Sequence, residues 1–401
     1  MGVVRETHDC VVVGASFAGL GSAYALARSG LGVTVLEDKA DCGERPHTTG
    51  ILVKDVIDQV ALLDRMPAEL VRRIDGVRLY APDLHYVDLA APGYYFLATD
   101  TPGVLRWLAE QAENGGARLR LGARFRGAER TRSGFRLEEA GLTRYLIGAD
   151  GPRSRVAESL GLGHNSDYLF GVEYEYADVS IPEPDKLHCF IDRRIAPGYI
   201  GWIVSGVGLV QAGLARRLRG ERVSARAAMT TFLEKIAPMV DLRGRRPCFI
   251  RAGLIPCGGV VRPAAGPRVL LVGDAAGMVS PVTAGGIHAA LKHGLAAGHA
   301  VADFLHGRAE DPSDWFVRTY PRYRAKRSLR FLFDHFQSDM AFNRLLATRP
   351  MRMAAGSIYF HHKGVFVPSP TARSDHGGGA GPRRIPGASC PGTTDIEGAS
   401  E

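Results

Sequence analysis

The sequence predicts an α/β fold: a discontinuous βαβ domain built from three separated pieces of chain, an inserted antiparallel β-sheet domain, and a C-terminal helical cap. Three observations carry this. First, an apolar run over residues 10–13 breaks at Gly14, passes into small residues suited to a helix over 19–28, and is followed by a second apolar run over 33–36. Second, two more strand-like runs end in Asp-Gly or Gly-Asp turns far downstream, at Asp150-Gly151 and Gly273-Asp274. Third, the segments between them alternate with period two, as in Gly171-Val172-Glu173-Tyr174-Glu175-Tyr176 and Gly201-Trp202-Ile203-Val204.

The first segment has the layout that grips a dinucleotide, which makes the discontinuous domain Rossmann-like. Gly14 permits the tight turn after the strand, and Gly19 lets helix and strand approach closely. Ala15, Phe17 and Ala18 complete the turn. The helix N-terminus offers unpaired N–H groups and a positive dipole end to a pyrophosphate. Glu37, with Asp38 beside it, stands about twenty residues on, where a carboxylate accepts hydrogen bonds from ribose hydroxyls. Ser16 replaces the middle glycine of the G-x-G-x-x-G spacing. It is small enough to admit the pyrophosphate, and its hydroxyl is a candidate donor to it. This segment alone does not separate NAD from FAD.

Composition sets outer limits. With 401 residues, 45% of them hydrophobic and 23% charged, the chain can bury a large core over two or three domains. The net charge of +8 comes largely from arginine and reads as a solvated basic surface or a face for phosphates and anionic lipids. No nucleic-acid-binding motif accompanies it. The six cysteines are scattered without a C-x-x-C pair, which argues against zinc and thioredoxin-like chemistry, and no metal site is expected. They fit a reducing cytoplasm. No apolar run is long enough to span a bilayer, so the expected membrane contact is peripheral at most.

The late segment decides the cofactor. A strand over 268–272 ends in Gly273-Asp274, small residues follow, and Gly285-Gly286-Ile287 opens a long helix running to about residue 306. Asp274 is suited to accept from a ribityl hydroxyl. The N–H groups near Gly285, Gly286 and Ile287 suit a flavin pyrimidine edge, where negative charge collects on reduction. Pro281 and its small neighbours let an isoalloxazine lie against backbone. FAD is therefore the expected cofactor. The expected FAD-binding domain spans residues 1–50, 101–164 and 256–311. The substrate domain is expected as one sheet from 51–100 and 165–255, followed by helices over 312–367 and a disordered tail over 368–401.

In order and content the three motifs resemble FAD-dependent enzymes shaped like para-hydroxybenzoate hydroxylase. Within that group the chain is similar to the geranylgeranyl reductase family. Gly277 stands where aromatic hydroxylases usually carry histidine, and the run from Ser280 to Ile287 is similar to the reductases. The stretch Tyr199-Ile200-Gly201-Trp202 resembles their Tyr-x-Trp-x-Phe-Pro substrate-side motif, with Trp202 matching and Ile200, Val204 and Ser205 replacing Tyr, Phe and Pro. Cys42-Gly43-Glu44 is similar to a Cys-Gly-Asp turn near the flavin in some members. An arginine that often precedes the second helix is Thr101 here, with Arg106 as its substitute.

The resemblance implies reduction of C=C bonds of an isoprenoid or other apolar, lipid-like substrate by hydride from reduced FAD. It implies no second Rossmann unit. NAD(P)H would then bind transiently, or an electron-carrier protein would reduce the flavin. Cys42 and His47 are the candidate proton donors, Trp202 and Tyr199 the substrate walls, and Arg45, Arg106 and Phe125 complete the cofactor set. His288 and His293 read as helix-packing residues. An oxygen-using monooxygenase or halogenase shares the FAD motifs, and a non-catalytic flavin- or isoprenoid-binding protein is the third alternative. Oligomeric state is not readable from the sequence.

Overall fold

The computed structural model describes residues 7–217 and 224–360. Its central sheet runs in the order Ala265–Gly266, Val269–Leu271, Gly141–Gly148, Thr7–Val13, Val33–Leu36, Arg118–Arg120. The last five of these strands are parallel. Val13 lies beside both Leu36 and Gly148, so the strand ends that carry the first two motifs share one edge of the sheet. Residues 10–13 are all buried, as a parallel strand covered on both faces requires. A ribbon of Gly134–Leu137 and Ala128–Thr131 extends from the strand Gly141–Gly148.

The helix Phe17–Arg28 begins two residues before its small-residue pattern suggests, because Ser16 caps it: the Ser16 hydroxyl accepts from the Gly19 N–H at 3.3 Å. The helix Ile287–Leu305 crosses it at backbone contact. A Cβ at Gly294 would fall 2.3 Å from the Ala18 carbonyl oxygen, and one at Gly298 would fall 2.5 Å from that of Ser22. The Ser22 hydroxyl lies 2.9 Å from the carbonyls of both Ala18 and Gly294, which fixes the crossing point.

The second sheet has seven strands in the order Phe249–Pro256, Tyr168–Tyr176, Val210–Arg217, Gly201–Ser205, Lys186–Phe190, Gly76–Tyr80, Tyr86–Leu89. It is antiparallel except where Lys186–Phe190 pairs in parallel with Gly76–Tyr80, a strand from the earlier insertion. Alternate residues of this sheet face opposite ways. Val172, Tyr176, Ala212 and Leu214 pack against Met229, Phe232 and Ile236 of the helix Ala225–Ile236. Glu173, Glu175, Gln211 and Gly213 hold the intervening positions.

The insertions do not form one sheet. Ile51–Val53, Phe96–Thr99 and Val71–Ile74 make a separate three-stranded sheet. The chain passes between the two sheets at Asp75, whose N–H donates to the Asp185 carbonyl at 2.7 Å. That long-range bond leaves no local trace in sequence. The C-terminal helices Arg324–Phe336, Asp339–Leu345 and Arg349–Phe360 follow, and Leu346, Ala355 and Phe360 are buried against Ile74, Val77 and Phe96. The tail expected over 368–401 lies outside the described residues. Among the described residues no helix is long and apolar enough to cross a membrane.

Candidate cofactor and substrate site

Three distant turns meet at the edge of the central sheet. Gly14 has φ +100°, and a Cβ there would lie 2.4 Å from the Ala149 carbonyl oxygen, so only glycine fits. A Cβ at Gly273 would fall 2.8 Å from the Cβ of Ala18, which sets the third turn against the first helix. The Ser16 hydroxyl donates to the Ala149 carbonyl at 3.1 Å. That bond ties the first turn to the second. The carboxylate of Glu37 accepts from the Ala15 N–H at 2.8 Å and the Lys39 N–H at 3.0 Å. Each oxygen keeps a second lone pair for a hydroxyl.

Asp150 accepts from the Ser154 hydroxyl at 2.7 Å and from the N–H groups of Arg155 and Val156 at 2.7 and 3.1 Å. It thereby orders the turn in which Gly151 takes φ +83°. Asp274 differs. No described residue donates to its carboxylate, and burial pushes its pKa up to about 6. A Cβ at Gly286 would lie 3.4 Å from the Asp274 Oδ1. The 19-residue helix that starts at Ile287 has no side-chain cap. Among the described residues, then, an unpartnered half-buried carboxyl stands beside uncapped helix N–H groups. That arrangement fits FAD: Asp274 would accept from a ribityl hydroxyl, and the opening N–H groups of the helix would donate to the electron-rich flavin edge.

Other predicted residues have different partners. Asp38 is at the surface, 3.7 Å from Arg124. Arg45 is exposed with φ +43°. The Phe125 side chain is core. The guanidinium of Arg106 forks onto Asp41, which also accepts from the Gly43 N–H at 2.9 Å. The Arg106 hydrogen bonds hold the Asp41 carboxyl below its ordinary pKa. This clamp shapes the turn containing Cys42. Burial, with Asp41 nearby, pushes the Cys42 thiol up to about 11, so it is a protonated thiol at neutral pH. His47 lies against the second sheet with Nδ1 2.8 Å from the Ala252 carbonyl oxygen. Nδ1 therefore carries the hydrogen, and Nε2 is the free lone pair. Packing against Gly253 desolvates the ring and lowers its pKa.

On the substrate side, Tyr199 packs with Leu169, Ala215 and Cys257, and with Trp202, Ile255 and Ala284 at the edge of the cluster. The Tyr199 hydroxyl donates to the Thr283 carbonyl, which joins this apolar wall to the Pro281–Ile287 segment. Trp202, Gly213, Glu173 and Arg251 form one row across four neighbouring strands. Gly213 leaves room for the indole to lie flat: a Cβ there would fall 2.5 Å from the ring. Trp202 Nε1 donates to the Glu173 Oε2 at 2.8 Å, and the Thr49 hydroxyl donates to the same oxygen at 2.7 Å. Glu173 is buried, its Oε1 has no partner, and burial raises its pKa although Arg251 is near. Glu175 takes Arg251 at 2.7 Å and Gln211 at 3.0 Å. Sequence reading treated Glu173 and Glu175 only as strand alternation. Their signal was two carboxylates at i and i+2 within an otherwise largely apolar and aromatic strand.

The profile of the family described as "FAD binding domain" matches residues 7–332. A digeranylgeranylglycerophospholipid reductase of Methanopyrus kandleri is 30% identical over 327 residues, covering 78% of this chain and 81% of that protein. The chain belongs to the geranylgeranyl reductase family of FAD-dependent oxidoreductases. A geranylgeranyl bacteriochlorophyll reductase-like protein of Thermoplasma acidophilum shares the fold, with a TM-score of 0.73 and 20% identity over 89% of this chain and 97% of that one. So does the flavin-dependent brominase Bmp2, at a TM-score of 0.67 and 15% identity over 88% of this chain and 94% of that one. The fold is thus common to a reductase-like protein and a brominase, and fold alone does not set the chemistry. Tyr199 and Trp202 belong to one apolar cluster, and Cys42 is a protonated thiol at neutral pH.

Proposed function

We propose that this protein saturates carbon–carbon double bonds of an isoprenoid lipid. The observation that carries this reading is the apolar wall of Tyr199, Trp202, Ile255 and Ala284 set against the segment that begins at Pro281. FAD, when bound and reduced, supplies the hydride. Asp274 and the opening N–H groups of the helix Ile287–Leu305 hold and orient it. Trp202, fixed by Glu173, lines the substrate and excludes water. The Cys42 thiol keeps its proton at neutral pH and can deliver it to the second alkene carbon, with His47 Nε2 as a relay. NAD(P)H or an electron-carrier protein reduces the flavin. The helix Arg324–Phe336 sets Arg324, Lys326 and Arg327 beside exposed Leu329, Phe331 and Phe336, which suits peripheral contact with an anionic lipid surface.

Anaerobic mixing of the reduced holoenzyme with a panel of prenyl lipids tests the reaction. The expected result is substrate-dependent flavin reoxidation and a product heavier by two hydrogens per bond. Oxygen uptake coupled to a hydroxylated or halogenated product, with no anaerobic reoxidation, would overturn it.

A further inference from the structure

A cavity of about 570 Å³ lies between the seven-stranded sheet and the helix Arg324–Phe336. Four arginines line it, Arg193, Arg217, Arg327 and Arg330, against two aspartates, Asp167 and Asp334. Asp334 is shared by Arg217 and Arg330, and Asp167 lies 3.9 Å from Arg217, so both carboxylates are engaged by two of the four guanidinium groups. The side chains of Arg193 and Arg327 are exposed and their guanidinium groups have no carboxylate partner among the described residues, while Asp339 accepts from the Arg193 backbone N–H at 3.0 Å. Positive charge is therefore left uncompensated.

Two buried donors point to what is missing. Arg330 is 4% exposed and its Nε has no partner; Gln337 is 5% exposed and its Nε2 has none. Arg330 Nη1 reaches the Pro281 carbonyl at 3.4 Å, Nη2 forms an ion pair with Asp334 Oδ1 at 2.7 Å without a directed hydrogen bond, and Gln337 Oε1 accepts from the Gly198 N–H at 2.8 Å. Unpaired buried donors are costly, and an acceptor-rich anion satisfies them. The cavity also adjoins the apolar wall of the substrate site. Cys257 belongs to both, with its sulfur 3.0 Å from Arg217 Nη1.

We infer that this cavity binds a phosphoester anion, and, resting on the reaction proposed above, that the anion is the headgroup of the lipid being reduced. The prenyl chain would then run from the arginines past Cys257 to the Tyr199–Trp202 wall.

The test uses the holoenzyme and the double variant Arg193→Gln/Arg327→Gln, whose sites are exposed. Two readouts apply: anaerobic reoxidation by a phosphorylated prenyl lipid and by the matching prenyl alcohol, and calorimetric titration with inorganic phosphate alone. The expected result is a fall of roughly tenfold or more in the kcat/KM ratio of phosphorylated to unphosphorylated substrate, carried by KM. Weaker phosphate binding with an unchanged substrate ratio would assign the cavity to free phosphate and overturn the headgroup role. No change in either readout would overturn the site itself. If the wild type reduces neither lipid, the proposed reaction falls, while the phosphate titration still decides the cavity.

Discussion

At Glu173 a single oxygen holds two neighbours, Trp202 and Thr49, while the other has no partner. The indole N–H and the Thr49 hydroxyl both donate to Oε2. Glutamine keeps an acceptor in that position. Glu173→Gln is expected to keep KM within about twofold. Glu173→Ala is expected to lose about 1–3 kcal/mol of stability in urea unfolding, to change Trp202 fluorescence, and to raise KM. Equal behaviour of the two variants would sink the role. Cys42→Ala is expected to keep full flavin content and lower turnover roughly a hundredfold, the low end of general-acid effects. Unchanged turnover would remove Cys42 from proton delivery. Individual residues were the least legible level of this sequence. Gly14, Glu37 and Asp274 follow from spacing. The Ser16–Ala149 bond and the Glu173 network depend on partners more than a hundred or several tens of residues away, which local pattern does not report.

Elements were far more legible, because the apolar runs of buried parallel strands and the small residues of tightly crossing helices are local signals. The strand at Gly141–Gly148 and the helix Ile287–Leu305 lie where the pattern puts them. The strand Arg118–Arg120 ends where the Gly122 N–H turns back to the Lys39 carbonyl at 2.8 Å. The helix crossing gives the sharpest expectation at this scale. Gly294→Val places a side chain 2.3 Å from a backbone oxygen that cannot yield without moving the Phe17–Arg28 helix. The expected loss is about 1–3 kcal/mol or more in chemical denaturation, together with weaker FAD binding because the phosphate-facing turn opens that helix. A variant as stable as the parent would show that the two helices can separate freely.

At the scale of the whole molecule, cofactor and protein stability are linked through Asp274. Its carboxyl is protonated in both folded and unfolded states below its ordinary value of 3.8 and ionised in both above about 6. Between these limits the folded flavin-free protein holds a proton that the unfolded chain has lost. Stability therefore falls as pH rises through this window, by up to about 3 kcal/mol. Asp274→Asn is expected to remove that part of the slope, measured by urea unfolding of the flavin-free protein at pH 4.5 and 6.5. A slope identical to the parent's would mean Asp274 titrates normally. The overall plan, a discontinuous nucleotide domain with inserted strands and terminal helices, could be read from three spaced motifs. The division of the insertions into two sheets could not, because it turns on contacts between remote segments.

The stretch from Glu37 to Gly50 is fastened at both ends. Near its start Glu37 and Lys39 bond to the loop after Arg120. Near its finish Thr48 receives Arg251, Thr49 grips Glu173, and Gly50 meets Thr99. A tether pinned at two points passes on tension instead of absorbing it. Filling the nucleotide pocket should then stiffen the far end, and amide hydrogen exchange at residues 47–50 should slow on FAD binding although those amides lie against the other sheet.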